Sequence, residues 1–365
     1  MTTEVRKIRV SALTAAIMLM LPGIIAARLA RVDLGVLPGD TISLASGIND
    51  RGDVVGSSCN PRAGLDAGAH CRAFLWSSGR MIDLGALVDA ATFAPDLAFH
   101  TDAYAINDRG QVVGAGCVRP GDEEPDENCV THAFLWEHGV MQDLGTLPGG
   151  TGSAALAINN RGEIVGASGT AAGGPSHAFL WQNGTMIDLG TLTGSMSSVA
   201  RAINERGQAV GESDFLVDVF TSRAVLWDRG AMIDLGTISG LGESRATAIN
   251  NRGLIVINTG SIYSGPFGAF VWHRGRTVPV GPLPHAGSTT FGAAINERGE
   301  VAGTSFGVSH PSHGFVWDAG AIVDLGPDTT AAAINNRGQV VGNVVIDGQS
   351  HAVLWEKRPA KRHDR

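Results

Sequence analysis

A short sequence motif recurs seven times along the chain, as in AINNRGEIVGAS and AINERGQAVGES. In each copy an Ile-Asn pair is followed by one acidic or amide residue and then by Arg-Gly. The seven tryptophans recur with the same count, and the central spacings between them are 45, 46, 45 and 45 residues. A regular period of this length is typical of one supersecondary unit copied along the chain, so we expect the copies to share one continuous core.

Each unit reads as four short antiparallel strands, a to d. In the copy around Ile158, a strand ending in AIN turns through Asn-x-Arg-Gly into EIVGAS, and HAFLW then turns at a glycine into MIDLG. Asn and Gly favour such turns, because Asn bonds its own backbone and Gly accepts a positive φ. The strands are apolar at consecutive positions, which indicates burial on both faces. The sequence therefore predicts an all-β, seven-bladed propeller, with the small-residue strand a at the axis and strand d, where Pro279 is tolerated, at the outer edge.

The two ends of the repeat complete one blade. Arg31 to Gly35 is a d strand with no strands before it, and His351 to Trp355 is a c strand with no d strand after it. A ring closed by an N-terminal outer strand needs this arrangement, whereas an open solenoid needs polar caps at both ends. We therefore predict a single propeller domain at residues 31–356, between residues 1–30 and a basic tail at residues 357–365.

The start of the chain and the cysteines indicate export. Residues 10–27 form an uncharged apolar run behind a basic start, as in a secretion signal, with an inner-membrane anchor or a buried core helix as the alternatives. Cys59 with Cys71, and Cys117 with Cys129, are each 12 positions apart in equivalent loops of successive units. Two disulfides are expected in an extracellular or periplasmic compartment, and zinc binding is the competing interpretation.

Charge and loop variation together restrict the partner. The net charge of −8 argues against a general binder of nucleic-acid phosphates, which needs a basic face. The variable b–c and d–a loops belong to one face of an up-and-down blade, and insertions on one face of a repeat protein often mark binding. We expect a monomer that binds a protein or glycan there, and no membrane contact apart from an uncleaved N-terminal segment. The candidate contacts are Phe215, Phe220, Tyr263 and Phe267, which alternatively anchor their loops, and His100 and Tyr104 in the connection into the second unit.

One acidic loop, GDEEPDEN, is a candidate calcium site. Asp122, Glu124 and Asp126 offer the several carboxylate oxygens that hard cations prefer. The loop does not have the spacing of a defined calcium motif, so a solvated acidic tip is the alternative. We expect no other cofactor.

No catalytic residue is predicted. A carboxylate repeated around a ring indicates a turn or strand-end acceptor, because one reaction needs one asymmetric site. The chain contains no His-Glu-x-x-His, no phosphate-binding Gly loop and no nucleophile elbow, since its one Gly-x-Ser-x-Gly, at residues 303–307, belongs to a b strand of the repeat. A polysaccharide lyase or hydrolase and a passive surface or matrix repeat are the alternatives to a binder, and unequal His, Asp, Glu or Arg residues at the axis would favour the enzyme. The repeated carboxylates are Asp33, Asp83, Asp143, Asp188, Asp234 and Asp324, with Pro279 in the seventh place.

Two longer segments, HAFLWQNGTMIDLGTLTG and DLGTLPGGTGSAALAINNRGEIVG, resemble the HAF-repeat family of bacterial extracellular repeat proteins. The resemblance covers residues 31–355 and implies export and a propeller-like fold, but it implies no biochemical activity. The histidine of the triplet is present at His132, His177, His313 and His351, whereas Arg72, Arg223 and Gly268 replace it.

Overall fold

The computed structural model describes residues 29–60, 70–87, 100–119, 130–171, 174–217, 219–238, 242–260, 268–283, 289–307 and 310–357. The strands of these residues form seven antiparallel four-stranded sheets, each of which is one blade, so the predicted seven-bladed propeller is confirmed. Within the described residues, no helix is present that could cross a membrane.

Each blade runs in the order a, b, c, d, and the strands of blades 1 to 7 have the following bounds. The a strands are β2 Ile42–Ile48, β6 Thr101–Ile106, β10 Ser153–Ile158, β14 Ser197–Ile203, β18 Ser244–Ile249, β22 Thr289–Ile295 and β26 Thr329–Ile334. The b strands are β3 Val54–Asn60, β7 Val112–Arg119, β11 Ile164–Gly169, β15 Ala209–Val217, β19 Ile255–Thr259, β23 Val301–Gly307 and β27 Val340–Ile346. The c strands are β4 His70–Ser77, β8 Val130–Glu137, β12 Ser176–Gln182, β16 Val219–Asp228, β20 Gly268–His273, β24 His310–Asp318 and β28 Gln349–Lys357. The d strands are β5 Arg80–Asp83, β9 Val140–Asp143, β13 Thr185–Asp188, β17 Ala231–Gly236, β21 Arg276–Val280, β25 Ala321–Pro327 and, for blade 7, β1 Leu29–Asp33.

The ring closes through the N-terminal strand, as predicted. β1 pairs antiparallel with β28, so the first described strand is the outer strand of the last blade. Leu29 lies opposite Lys357 and Asp33 opposite Val353. The pairing therefore begins at Leu29, whereas the sequence pattern predicts that this strand begins at Arg31.

The a strands form the innermost ring, because each contacts the a strands of both neighbouring blades. The prediction that small residues suit this position is confirmed, since Ala103, Ala155, Ala200 and Ala246 are fully buried between blades. Each a strand also carries a bulge that presses a carbonyl against the b strand. At Gly166 an added Cβ would lie 1.9 Å from the Ala154 oxygen, which explains the glycine at this position in six of the blades; blade 5 has Ile257 there.

A closed ring of asparagine side chains joins the seven a–b turns. The oxygen of each repeat Asn accepts the backbone N–H groups two and four residues further on, as Asn204 does from Arg206 and Gln208 at 3.0 Å. The amide nitrogen of the same Asn donates to the main-chain carbonyl of the repeat Asn in the next blade, at 2.9–3.1 Å throughout. The ring runs through Asn49, Asn107, Asn159, Asn204, Asn250, Asn296, Asn335 and back to Asn49.

A second ring lies beside the first. The residue after each repeat Asn donates its backbone N–H to the side-chain oxygen of the equivalent residue in the next blade, at 2.7–2.9 Å. Six of these acidic and amide residues, all but Asn251, line a cavity of about 240 Å³ at this end of the axis together with repeat Ile and Asn residues of the same blades. The acidic or amide position of the motif is therefore a blade-to-blade acceptor. Its members are Asp50, Asp108, Asn160, Glu205, Asn251, Glu297 and Asn336.

We expect the asparagine ring to contribute strongly to stability. Asn204→Ala removes the acceptor of two partly buried N–H groups and the buried donor to the Asn250 carbonyl. Unsatisfied buried polar groups cost about 1–3 kcal/mol each, so the free energy of unfolding should fall by about 3 kcal/mol. Chemical denaturation measures it. Glu205→Gln is the control, because it keeps an oxygen for the Asn160 N–H; equal losses in the two variants would contradict the role of the ring.

Candidate functional site

The repeated histidines and carboxylates of the outer strands are structural. In blade 3, Nδ1 of His177 lies 2.9 Å from Asp188, and the same carboxylate accepts the N–H of Gly190 at 2.7 Å. Where arginine replaces the histidine, it makes the same pair, as between Arg223 and Asp234 at 2.9 Å. The equivalent pairs are His132–Asp143, His313–Asp324, His351–Asp33 and Arg72–Asp83. Blade 5 lacks both partners, since Gly268 and Pro279 replace them together. The predicted acceptor role of these carboxylates is confirmed.

The channel wall, in contrast, differs from blade to blade. Along each a strand, the third and fifth residues before the repeat isoleucine are buried between blades, whereas the second and fourth are partly exposed. Because strand a is innermost, this exposure faces the channel. The second residues are Ser46, Tyr104, Leu156, Arg201, Thr247, Ala293 and Ala332, and the fourth are Leu44, Asp102, Ala154, Val199, Arg245, Phe291 and Thr330. Titratable side chains are concentrated in blades 2, 4 and 5.

One polar cluster lies between blades 1 and 2. Asp102 accepts hydrogen bonds from the Ser57 hydroxyl and from Tyr104, and its Oδ2 lies 2.6 Å from Nε2 of His100. Burial raises the pKa of the Asp102 carboxyl, but the bonds from His100 and Ser57 outweigh burial and hold the pKa below its ordinary value. Burial and the Asp102 charge raise the pKa of Tyr104 to about 12, so its phenol stays protonated at neutral pH.

The predicted Cys59–Cys71 disulfide is present beside this cluster. The Cys71 sulfur and the ligand atoms of His100 and Asp102 lie within 4.8 Å of one another. A metal ion would require the Cys71 thiolate, which the disulfide removes. Cys117 is also disulfide-bonded, while its predicted partner Cys129 lies outside the described residues.

A second, charged cluster lies between blades 4 and 5. Nε of Arg201 donates to Glu212 at 2.7 Å, and Arg245 pairs with Glu243 at 3.5 Å. Burial raises the pKa of the Glu212 carboxyl, and the bonds from Arg201 offset only part of that rise. Burial lowers the pKa of Arg201, but the paired carboxylate outweighs burial and raises it above its ordinary value. The fold thus holds a carboxylate, whose ionised form burial disfavours, next to a guanidinium that faces the channel.

A mostly apolar cavity of about 310 Å³ adjoins the charged cluster on the loop-rich face, which carries the b–c and d–a connections. Asp214 is its one charged group, and it accepts the Ser197 hydroxyl at 3.1 Å and the Ser222 hydroxyl at 2.7 Å. The Arg223 guanidinium lies 5.4 Å from the centre of the Phe215 ring. The lining residues are Pro175, Ser176, Met196, Ser197, Val199, Asp214 and Phe215.

Three of the predicted contact residues take a definite place. Phe215 lines the cavity, and His100 and Tyr104 belong to the cluster around Asp102. The side chain of Phe220 lies outside the described residues, as do Tyr263, Phe267 and the candidate calcium ligands Asp122, Glu124 and Asp126. Sequence reasoning missed Ser57, Asp102, Arg201, Glu212 and Arg245. For the four charged residues the available signal was their position, because neutral residues occupy the same places in most other copies, whereas Ser57 has no such signal.

No protein-family model and no curated protein matches the chain. Solved structures match at low identity, among them the propeller domain of the trilobed protease from Pyrococcus furiosus, with TM-score 0.53 and 10% identity over 87% of this chain and 96% of that one. That domain has an open Velcro topology, whereas β1 closes the ring here. A puromycin-hydrolysing peptidase of Mycobacterium tuberculosis has TM-score 0.50 and 14% identity over 87% of this chain and 49% of that one. A chain of a mitotic checkpoint complex has TM-score 0.50 and 14% identity over 98% and 99%.

These similarities show that the chain is a β-propeller. They include a peptidase and a member of a protein complex, so the shared fold favours neither catalysis nor binding. The function has to be argued from the site.

The Arg201–Glu212 pair predicts a pH-dependent loss of stability in Arg201→Ala. The pKa of Glu212 is already raised in the folded protein, and loss of its partner raises it further. The cost of the ionised carboxylate is therefore present at neutral pH and disappears as the pH falls below the ordinary pKa of glutamate. We expect a loss of about 2 kcal/mol at neutral pH, less than for a fully buried pair because the guanidinium is 40% exposed.

Thermal unfolding between neutral and mildly acidic pH measures this effect. The double variant Arg201→Ala with Glu212→Gln is the control, since it removes the carboxylate together with its partner. A loss that is the same at every pH would contradict a charge-based role for the pair.

Proposed function

We propose that this protein is an exported, non-enzymatic propeller that binds a carbohydrate through its loop-rich face. The observation that carries the proposal is the cavity between blades 3 and 4, which combines a mostly apolar wall with one carboxylate and two serine hydroxyls. Ligand sites typically have this composition. The apolar face of a sugar ring fits against Met196 and Phe215, and its hydroxyl groups fit the acceptors of Asp214.

The disulfide supports the exported location. Cys59 and Cys71 are buried and bonded, which is compatible with an extracellular or periplasmic compartment. Kinship with HAF-repeat proteins is part of the same proposal, and the apolar segment at residues 10–27 is its expected export signal. The monomeric state and calcium binding by the acidic loop stay predictions.

A glycan screen tests the binding function. Thermal shift of the oxidised protein against bacterial and host glycans should find a ligand that raises the melting temperature with its concentration. Met196→Ala should then weaken binding about fivefold, because the lost apolar contact is worth about 1 kcal/mol. Ile233→Ala is the matched control, since Ile233 is a similarly exposed apolar residue on the outer strand of blade 4. Binding to a protein ligand but to no glycan would contradict a carbohydrate ligand.

The cluster around Asp102 favours a polysaccharide-acting enzyme as the second candidate function. It breaks the repeat, and it holds His100 against a carboxylate beside a protonated Tyr104, the groups that general acid–base chemistry uses. In this alternative His100 exchanges the proton with the substrate and Asp102 positions its ring.

If the enzyme alternative holds, His100→Gln should lower turnover of a bound glycan by about 100-fold or more, because proton transfer by a positioned side chain contributes about 10²–10⁴ in rate. The affinity for the glycan should stay within about twofold, since the change removes a proton donor and keeps a polar side chain of similar size. Product analysis by chromatography measures turnover, and calorimetry measures affinity. Asp102→Asn tests whether the Asp102 carboxylate positions the His100 ring, because turnover and affinity are measured separately. Absence of any product from the unaltered protein would remove this alternative and leave the binder.

A further inference from the structure

Two half-exposed arginines from neighbouring blades both lie close enough to the buried carboxylate of Glu212 to lower its pKa. Arg201 belongs to β14 and Arg245 to β18, and their side chains are 40% and 39% exposed. Their partners are far less exposed, with Glu212 at 4% and Glu243 at 10%. The guanidinium groups therefore present positive charge to the channel, and the carboxylates that hold them lie behind.

Each guanidinium keeps one free donor edge. Nε and Nη2 of Arg201 donate to Glu212, while the same atoms of Arg245 donate to Ser222 and Glu243. Within the described part of the chain, Nη1 of neither arginine has a hydrogen-bond partner. A guanidinium already fixed by a carboxylate loses little conformational freedom when it binds an anion, so this arrangement is preorganised for one.

The adjoining cavity indicates what kind of ligand would bear such an anionic group. Val199, which lines the cavity, pairs in register with Glu212, so the cavity and the charged cluster share two neighbouring strands. Asp214, on the cavity wall, disfavours a second carboxylate and favours hydroxyl groups as donors. A ligand with a carboxylate at one end and a hydroxyl-bearing ring at the other matches both parts.

We propose that this wall binds a hexuronate residue of an acidic polysaccharide, with its carboxylate on Nη1 of Arg201 and Arg245 and its ring in the cavity. The proposal rests on the carbohydrate binding argued above and names the class of sugar. Because the whole chain carries a net charge of −8, polyanions are not drawn to it by overall charge, and a preference for acidic sugar must come from a local site.

Calorimetry on the full chain tests the proposal with three sets of oligosaccharides. These are hexuronate oligosaccharides, the same oligosaccharides with every carboxyl reduced to an alcohol, and the reduced set carrying O-sulfate groups. The hexuronates should bind about tenfold more tightly than their reduced counterparts, as expected for one charge-assisted contact.

Arg245→Gln should remove that preference and leave the affinity for the reduced set unchanged. The double variant Arg201→Gln with Glu212→Gln repeats the test at the second arginine without leaving a buried charge unpaired. Arg161→Gln is the control, because it makes the same change of charge in an a–b turn at the opposite end of the channel.

The outcomes are distinguishable. Equal affinity for hexuronate and reduced oligosaccharides would overturn this inference and leave carbohydrate binding in place, whereas binding of none of them would overturn this inference, and the glycan screen above would then decide on carbohydrate binding. Tighter binding of the sulfated set than of the hexuronates would overturn the assignment of a carboxylate. A preference for hexuronate that survives both arginine variants would overturn the placement of the site.

Discussion

The amide nitrogen of each repeat asparagine holds one blade to the next, and the rest of the ring depends on this bond. Every repeat Asn is nearly fully buried, so its amide must be satisfied inside the protein. Seven such bonds form a closed circle only if the seventh blade meets the first, as Asn335 does at the carbonyl of Asn49. Pairing of β1 with β28 joins the first described strand to the last, so closure of the ring at the axis and closure at the outer edge support each other.

The blades are also joined near the loop-rich ends of the a strands, where buried Ser or Thr hydroxyls accept a backbone N–H of the preceding blade, as Ser153 does from Ala133 at 2.8 Å. The residues that make these bonds and the asparagine ring recur along the chain, whereas the partly exposed residues between them vary from Ala154 to Arg245 and Phe291. The polar clusters occupy these variable positions.

The sequence predicted the fold in detail but only part of the site. Period, strand order and the acceptor role of the DLG carboxylates follow from the repeat pattern, and ring closure follows from the incomplete units at its two ends. Contacts between units cannot be predicted in this way, because a repeat pattern does not show which side chains contact each other across a blade interface. The sequence predicts that Asn204 is a turn residue, but it does not predict that the same side chain donates a hydrogen bond to blade 5. Ser57 and Asp102 meet for the same reason without any sequence signal. Phe215, His100 and Tyr104 follow from loop variation, and they lie in the cavity and in the cluster around Asp102, but their role in binding stays a prediction.

The seven copies also serve as internal controls on what the fold requires. The position of Glu212 on strand b is occupied in the other blades by neutral residues, which are Ser57, Ala115, Ala167, Asn258, Thr304 and Asn343. A propeller blade therefore needs no carboxylate there, and burial raises the pKa of Glu212 above its ordinary value although Arg201 is bonded to it. A buried charge that the fold does not need is expected to have a functional reason. The contact that uses Glu212 is the one to Arg201, so the reason for the charge lies in the channel that this guanidinium faces.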